Sequence, residues 1–424
     1  MPEREVYDLE VMPLTPIHIG TGEDIMPLEY TIKPKLHPRP RENTPPIIGG
    51  TYVRFSPATL LNTNESKIVD FEKIIGDVLA LRKFFNDLYD ECHECRLHEP
   101  LEVSQKAASH FNEKLNAPGG DNLLFMKPFI RPPGGDAYIP GSSVKGMLRG
   151  AWMSGLWKES EKRLSEGDYK SWAYRHEYKD PVKKTGAYIT HNNIPYNEKE
   201  LLGLFNQAEF IQHNPFKILK VGDSTGLDLS SDFNPIPTII MLAEGLPRNN
   251  AQESSRNSKG YASKKSTGML QTLTEYIPGK LLPNGQEFTI HHRLVIDKDL
   301  EHKWQLPNYM DRDNKDGTDI TCESIVKRCK ELFVRQYDKD KAYFNQSKNI
   351  DSETNDTMTK LKEEFDSIES DPIQCIARLG WGSGFDAMSL NSVLDQQHSF
   401  TPITRKLADG KYPQGWVKLK FEKL

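Results

Sequence analysis

The chain is predicted to be α+β. Strand-like and helical runs intermix without the regular strand-helix alternation of a parallel sheet, and turns marked by glycine and proline separate them at short intervals. No apolar run is long enough to cross a bilayer, and the mean hydropathy is −0.63. At 424 residues the chain exceeds a usual single core, so two domains with insertions are expected.

Val6-Tyr-Asp-Leu-Glu-Val-Met12 places Val6, Leu9 and Val11 in an imperfect apolar-polar alternation that Pro13 and Pro16 end, which predicts a first strand. Prolines at 34, 38, 40, 45 and 46 forbid a helix between Lys33 and Pro46 and predict an extended connection. From Ile68 to Glu91, Phe71, Ile74, Val78, Leu81, Phe85 and Leu88 recur at helical spacing, predicting a packed helical insertion. A further helix is expected from Ser142 through Leu164, bent or broken near Gly150 and Gly155. Glu198 to Ile211 reads as a helix, and Phe216 to Val221 as a strand followed by the turn Gly222-Asp-Ser-Thr-Gly226.

Past Pro235 and Pro237, Thr238 to Ala243 has strand character. Residues 244 to 268 are rich in Ser, Asn, Gly and Lys, which predicts a flexible loop or hairpin tip. Leu270 to Tyr276 and Glu287 to Ile296 flank Pro278-Gly279 and Pro283-Asn-Gly285, which predicts a hairpin. Thr321 to Phe344 carries Ile325, Cys329, Leu332, Phe333 and Tyr337 along one side of a helix, and Trp416 to Phe421 alternates as a terminal strand.

A net charge of −5 weighs against a protein that coats nucleic acid by bulk attraction, so an RNA site has to be a local patch. Arg248, Arg256, Lys259, Lys264 and Lys265 stand against only Glu244 and Glu253 in one such segment. Residues 351 to 371 are the reverse, eight carboxylates against Lys360 and Lys362, and should face away from RNA. The start Met1-Pro-Glu-Arg-Glu-Val lacks the order of a signal peptide, and five cysteines do not form a disulfide framework. A cytoplasmic, reduced protein is expected.

Ile139-Pro-Gly-Ser-Ser-Val-Lys-Gly-Met-Leu-Arg-Gly-Ala-Trp152 is the most informative stretch. Pro140-Gly141 fits a tight turn, Ser142 or Ser143 fits a helix cap, and Lys145 and Arg149 share one helix face, together an anion cradle. The spacing is not that of a Walker loop, so nucleoside triphosphate chemistry is poorly supported. Two more glycine runs lie far off: His18-Ile-Gly-Thr-Gly22, and Leu379-Gly-Trp-Gly-Ser-Gly-Phe385. In the last, Gly380, Gly382 and Gly384 bare the backbone for phosphates while Trp381 and Phe385 offer stacking faces.

In this order the three runs resemble the RAMP superfamily of CRISPR-associated proteins. Arg378-Leu-Gly-Trp-Gly-Ser-Gly384 and Val221-Gly-Asp-Ser224 are most similar to the fifth-subunit family of the type III-A Csm effector complex. The resemblance spans nearly the whole chain and is specific at the glycine runs. It implies two RRM-like (ferredoxin-like) domains with glycine-rich loops, residues 1–234 with a helical insertion around 60–120 and residues 235–424 with one around 320–370. No internal repeat is visible in the sequence, so the two-domain expectation comes from the resemblance.

The resemblance further implies a non-enzymatic, RNA-binding structural subunit of an antiviral ribonucleoprotein. It would cap the filament of repeated backbone RAMP subunits at the 3′ end of the CRISPR RNA and assist that RNA's maturation. Its partners would be CRISPR RNA, the backbone and small Csm subunits, and target RNA. The RNA contacts expected here are His18, Gly20, Thr21, Gly22, Gly141, Ser142, Ser143, Lys145, Arg149, Lys264, Lys265, Gly380, Trp381, Gly382, Ser383 and Gly384. Such contacts position a sugar-phosphate chain without reading its sequence.

A metal-independent endoribonuclease is the rival, since some RAMP relatives use an imidazole as general acid or base and His18 precedes a glycine loop. No partner for His18 is visible in the sequence, and on a strand only one of His291 and His292 faces any one side. Asp24 and Asp223 read as solvated or turn-capping carboxylates. Cys92-His-Glu-Cys95 with His98 is half of a zinc site without a second Cys-x-x-Cys, and reads as a helix end with untethered thiols. No metal or cofactor is expected.

Overall fold

The computed structural model describes residues 4–39, 45–89, 95–115, 117, 124–133, 135–161, 215–225, 235–247, 271–303, 320–347, 350–381 and 404–424. In chain order the elements open with β1 (Arg4–Pro13), β2 (Tyr30–Leu36), β3 (Ile47–Arg54), α1 (Pro57–Thr63), α2 (Ile68–Glu72), α3 (Val78–Leu88), β4 (Leu101–Val103), α4 (Gln105–Leu115), β5 (Met126–Lys127) and α5 (Gly141–Glu161). They continue with β6 (Leu219–Val221), β7 (Ile239–Pro247), β8 (Thr272–Tyr276), β9 (Ile290–Asp297), α6 (Cys322–Asn345), α7 (Ser352–Ser367), β10 (Gln374–Arg378), β11 (Thr404–Ala408), β12 (Tyr412–Pro413) and β13 (Trp416–Lys423). Strands and helices thus mix as expected of an α+β chain.

One sheet has the order β10-β13-β1-β9-β6, with every neighbouring pair antiparallel. Helices α5 and α6 pack against each other and onto it, α5 beside β6 and α6 beside β10. Without β10, the sequence β1-α5-β6-β9-α6-β13 and the order β13-β1-β9-β6 form a βαββαβ unit of ferredoxin-like type. Alternation in β1 puts Leu9 and Val11 into its core, where they meet Ile290, Leu294 and Trp416 together with Leu148, Trp152, Cys329 and Phe333 of the helices.

The second sheet runs β12-β11-β7-β4-β3-β2, and β8 joins β7 to β5. Its strands come from three inserts into the first unit: β2 to β5 between β1 and α5, β7 and β8 between β6 and β9, and β11 and β12 between β10 and β13. Helix α4 covers one face over Tyr30, Ile32, Tyr52, Ile240 and Leu242. Each sheet therefore takes strands from both sides of position 234.

Four expectations are corrected. The single helix over 68–91 is split, because Asp77 Oδ1 accepts from the Leu79 and Ala80 amides at 3.0 Å each and starts α3 anew after Gly76. The strand expected from Phe216 begins only at Leu219, after a 3₁₀ turn over Pro215–Lys217. Helix α5 begins at Gly141 and runs unbroken past Gly150 and Gly155 to Glu161; at Gly155 the Arg328 side chain of α6 lies against the helix.

The hairpin expected from Leu270–Tyr276 and Glu287–Ile296 does not form, since β8 belongs to the second sheet and β9 to the first. Residues between them are diverted: Ile277, Lys280 and Leu281 donate to the carbonyls of Ile17, Pro13 and Leu14. The segments Glu198–Ile211 and 248–270, together with Cys92, Lys264, Lys265, Gly382, Ser383, Gly384 and Phe385, lie outside the described residues.

Candidate nucleic-acid interface

Strand register brings the three glycine runs to one end of the five-stranded sheet. Pro13 of β1 pairs with Val417, which pairs with Ala377 of β10. Val11 pairs with Ile290 at the start of β9, and Tyr7 pairs with Leu294, which is also the partner of Val221 at the end of β6. So β1, β6 and β10 all run toward the same end, β1 and β10 finishing side by side and β6 stopping in the row of Tyr7; from there the Gly222–Thr225 turn follows β9 to His291 and holds Ile139 and Gly141 of the second run.

The first and third runs touch. Trp381 N donates to the His18 carbonyl at 2.7 Å, and Gly380 adopts φ +88°, where a Cβ would lie 2.4 Å from that same oxygen. Only glycine fits both demands. On its other side the first run is held by Phe129 and Ile130, the latter donating to the Ile19 carbonyl at 2.8 Å.

Residues 129–131 are in turn fixed by Glu275 of β8. Its carboxylate accepts from Phe129 N at 2.9 Å, from Thr238 Oγ1 at 2.6 Å and from both terminal nitrogens of Arg131. Burial alone would raise the Glu275 pKa, but the Arg131 guanidinium together with the Thr238 hydroxyl and the Phe129 amide more than offsets it, and the carboxyl titrates below its ordinary range.

His18 is only 4% exposed, its Nδ1 2.7 Å from the Glu275 carbonyl, which requires the hydrogen on Nδ1. Burial lowers its pKa to about 4 against the opposing pull of Glu275, so the ring is neutral at pH 7. Phe129, Tyr276 and Trp381 surround it edge to face, with centroids 6.2, 5.9 and 5.6 Å away. The imidazole therefore braces the run from beneath, and Gly20, Thr21 and Gly22 are its exposed part.

At the second run Gly141 is buried against β6, where a Cβ would lie 2.2 Å from the Val221 carbonyl oxygen. Its N–H donates to Asp223 Oδ1 at 2.8 Å, and Ser224 Oγ accepts from Ile139 N at 2.9 Å. The start of α5, expected to be an open anion cradle, is thus met by the chain's own carboxylate, because the 222–225 turn folds back onto it. Ser142 remains exposed and Ser143, Lys145 and Arg149 are half-buried. Burial, then the nearby cations Arg149 and Lys220, lowers the Lys145 pKa, and Lys220 itself pairs with Asp297 at 2.6 Å.

Two lysines that no motif marked complete the picture around Trp381. Lys406 of β11 places Nζ 3.3 Å from the indole centroid, and Lys127 of β5 lies 5.7 Å from it while pairing with Asp24 at 2.7 Å. Burial, and then Lys127, lowers the Lys406 pKa to about 8. Each is a lone lysine on a short strand of the second sheet, so only the tertiary fold assembles them with Trp381.

In the Cys92–His98 segment, Cys95 is buried with Sγ 3.7 Å from Thr63 Oγ1, and the His98 ring stacks on Tyr52 at 5.8 Å. Among the described residues no group of three or more His, Cys, Asp or Glu is placed to hold a metal ion. No helix among them is long and apolar enough to cross a membrane.

Comparison with curated proteins returns no match. Among solved structures, a chain in the cryo-EM structure of a Csm-crRNA-target RNA ternary complex of a type III-A CRISPR-Cas system is similar at 18% identity and a TM-score of 0.58, over 98% of this chain and 100% of that one. The crystal structure of T. onnurineus Csm5 is similar at 17% identity and a TM-score of 0.56, over 96% of this chain and 99% of that one. At such identities the likeness is one of fold. The RAMP superfamily model matches residues 10–305, from the first strand through the first two of the three inserts that build the second sheet, and the chain therefore belongs to the RAMP superfamily.

Proposed function

We propose that this protein is a CRISPR RNA-binding structural subunit of a type III-A Csm interference complex. In this reading it caps the filament of repeated backbone RAMP subunits at the 3′ portion of the CRISPR RNA and assists that RNA's maturation without cutting it. The other Csm subunits and target RNA are its further partners. The two RRM-like units of the resemblance correspond, in this reading, to the two sheets rather than to the halves on either side of position 234.

One observation carries the proposal: three glycine runs more than a hundred residues apart meet through one sheet, whose strands β1, β6 and β10 run toward one end, the first and third runs touching there and the turn after β6 holding the second. There they offer the exposed Gly20–Gly22 backbone, Ser142, the Lys145–Arg149 face and the Trp381 ring, the donors, cations and stacking surface that unpaired RNA needs. Against the endoribonuclease reading stands His18, a buried imidazole of pKa about 4 whose Nδ1 is already engaged, poorly matched to acid-base work at neutral pH.

Co-expression with the other Csm subunits and a CRISPR array tests the proposal. Short CRISPR RNA should travel with the wild-type chain, and Lys145→Glu with Arg149→Glu should weaken its retention while the protein still folds. Unchanged retention would count against the site. Labelled repeat RNA incubated with the purified protein without metal should remain intact, whereas cleavage lost in His18→Ala would favour the nuclease.

A further inference from the structure

We propose that Trp381, Lys406 and Lys127 form a clamp for one unpaired nucleotide. A base takes the indole face that Lys406 now covers, and the two ammonium groups move onto the adjoining phosphates. This rests on the RNA-binding reading above and adds to it two residues from the second sheet.

The indole is held in place before any ligand arrives. Its backbone N–H is fixed on the His18 carbonyl at 2.7 Å, and its ring meets the edge of the buried His18 imidazole at a centroid distance of 5.6 Å. Lys406 Nζ lies 3.3 Å from the ring centroid, a cation-π contact over its face. Among the described residues no carboxylate pairs with Lys406, although the side chain is half-buried. A partly desolvated ammonium resting on a ring lacks the full counter-charge that a phosphate supplies.

Lys127 approaches the same ring from β5, and its ion pair with Asp24 is a surface contact of the kind that solvent and salt weaken. A flat ring with two displaceable cations 3.3 and 5.7 Å from its centroid supplies a stacking face and phosphate partners side by side. Indole stacking tolerates any base, which suits a guide RNA whose spacer sequence varies.

The test uses the full chain and fluorescently labelled single-stranded oligouridine and oligoadenosine, with anisotropy titrations across a series of salt concentrations. Lys406→Gln and Lys127→Gln should each reduce the slope of log Kd against log salt by about 0.7, the loss of one single-strand phosphate contact, and Lys406→Arg should restore it. Trp381→Ala should weaken binding about tenfold on both sequences with the slope nearly kept, while Trp381→Phe keeps most of the affinity. Lys360→Gln on α7 should change neither.

Wild-type binding with unaltered slopes in both glutamine variants overturns the clamp and leaves the RNA-binding reading standing. Absence of any wild-type RNA binding overturns both. Should Trp381→Ala not fold, as judged by its thermal unfolding, the lysine slopes and Trp381→Phe decide the matter alone.

Discussion

At the scale of single residues, burial has turned the histidine of the first glycine run into a brace. His18 has a folded pKa of about 4 against an ordinary 6.5, so its neutral form belongs to the fold. The unfolded chain binds a proton first as the solution is acidified, and the stabilisation is present above pH 6.5 and lost as pH falls towards 4. Chemical denaturation of wild type and His18→Asn should show this as a difference in pH slope over that window, on the order of 3 kcal/mol in total. Asp409, buried and raised to about 6, works in the opposite sense between about 6 and its unfolded value, which is why the His18 variant must be compared with wild type.

Lys406 gives a second residue-scale prediction. With its pKa lowered to about 8 by burial and by the neighbouring Lys127, while His18 beside the ring is neutral, it loses its charge as pH rises through 8. RNA affinity should fall between about pH 7 and 9 in wild type, and Lys406→Arg should flatten that profile. Gly380→Ala should destabilise the protein by about 1–3 kcal/mol in urea titrations, because φ +88° and the His18 carbonyl both oppose a side chain.

At the scale of elements, the third glycine run is anchored by a buried ionic triad. Arg378, the last residue of β10, donates to Asp340 Oδ2 at 2.7 Å, and Arg405 of β11 donates to Oδ1 of the same carboxylate at 2.8 Å. Asp340 lies on α6, so one carboxylate ties a helix to strands of both sheets. Asp340→Ala should cost about 3–5 kcal/mol in a urea denaturation series, since it removes the carboxylate that two buried guanidinium groups share; a loss below about 1 kcal/mol would contradict that role.

The sequence announced the long elements well, because β1, α6 and β13 each bury one face and so show it in their periodicity. It misplaced elements whose fate depends on distant chain. The 277–281 connection looks like a hairpin loop until Pro13, Leu14 and Ile17 claim its hydrogen bonds. The α5 start looks like an anion site until Asp223, eighty-two positions later, caps it. A local motif declares what a backbone can accept, and tertiary structure decides who supplies it.

At the scale of the molecule, sequence reading found the three glycine runs but not the geometry that joins them. The first unit is assembled from both chain ends, β1 against β13, and its three interruptions build the second sheet. Nothing in composition or spacing reports such interleaving, and Lys127 and Lys406 became visible beside Trp381 only through it.

Photo-crosslinking of the full chain to single-stranded RNA bearing 4-thiouridine, followed by peptide mapping, tests the common end of the sheet most directly. The account predicts crosslinks in residues 18–22, 126–131, 141–149, 379–381 and 404–408. Crosslinks confined to the acidic α7 helix or to α1–α3, with none at the glycine runs, would contradict it.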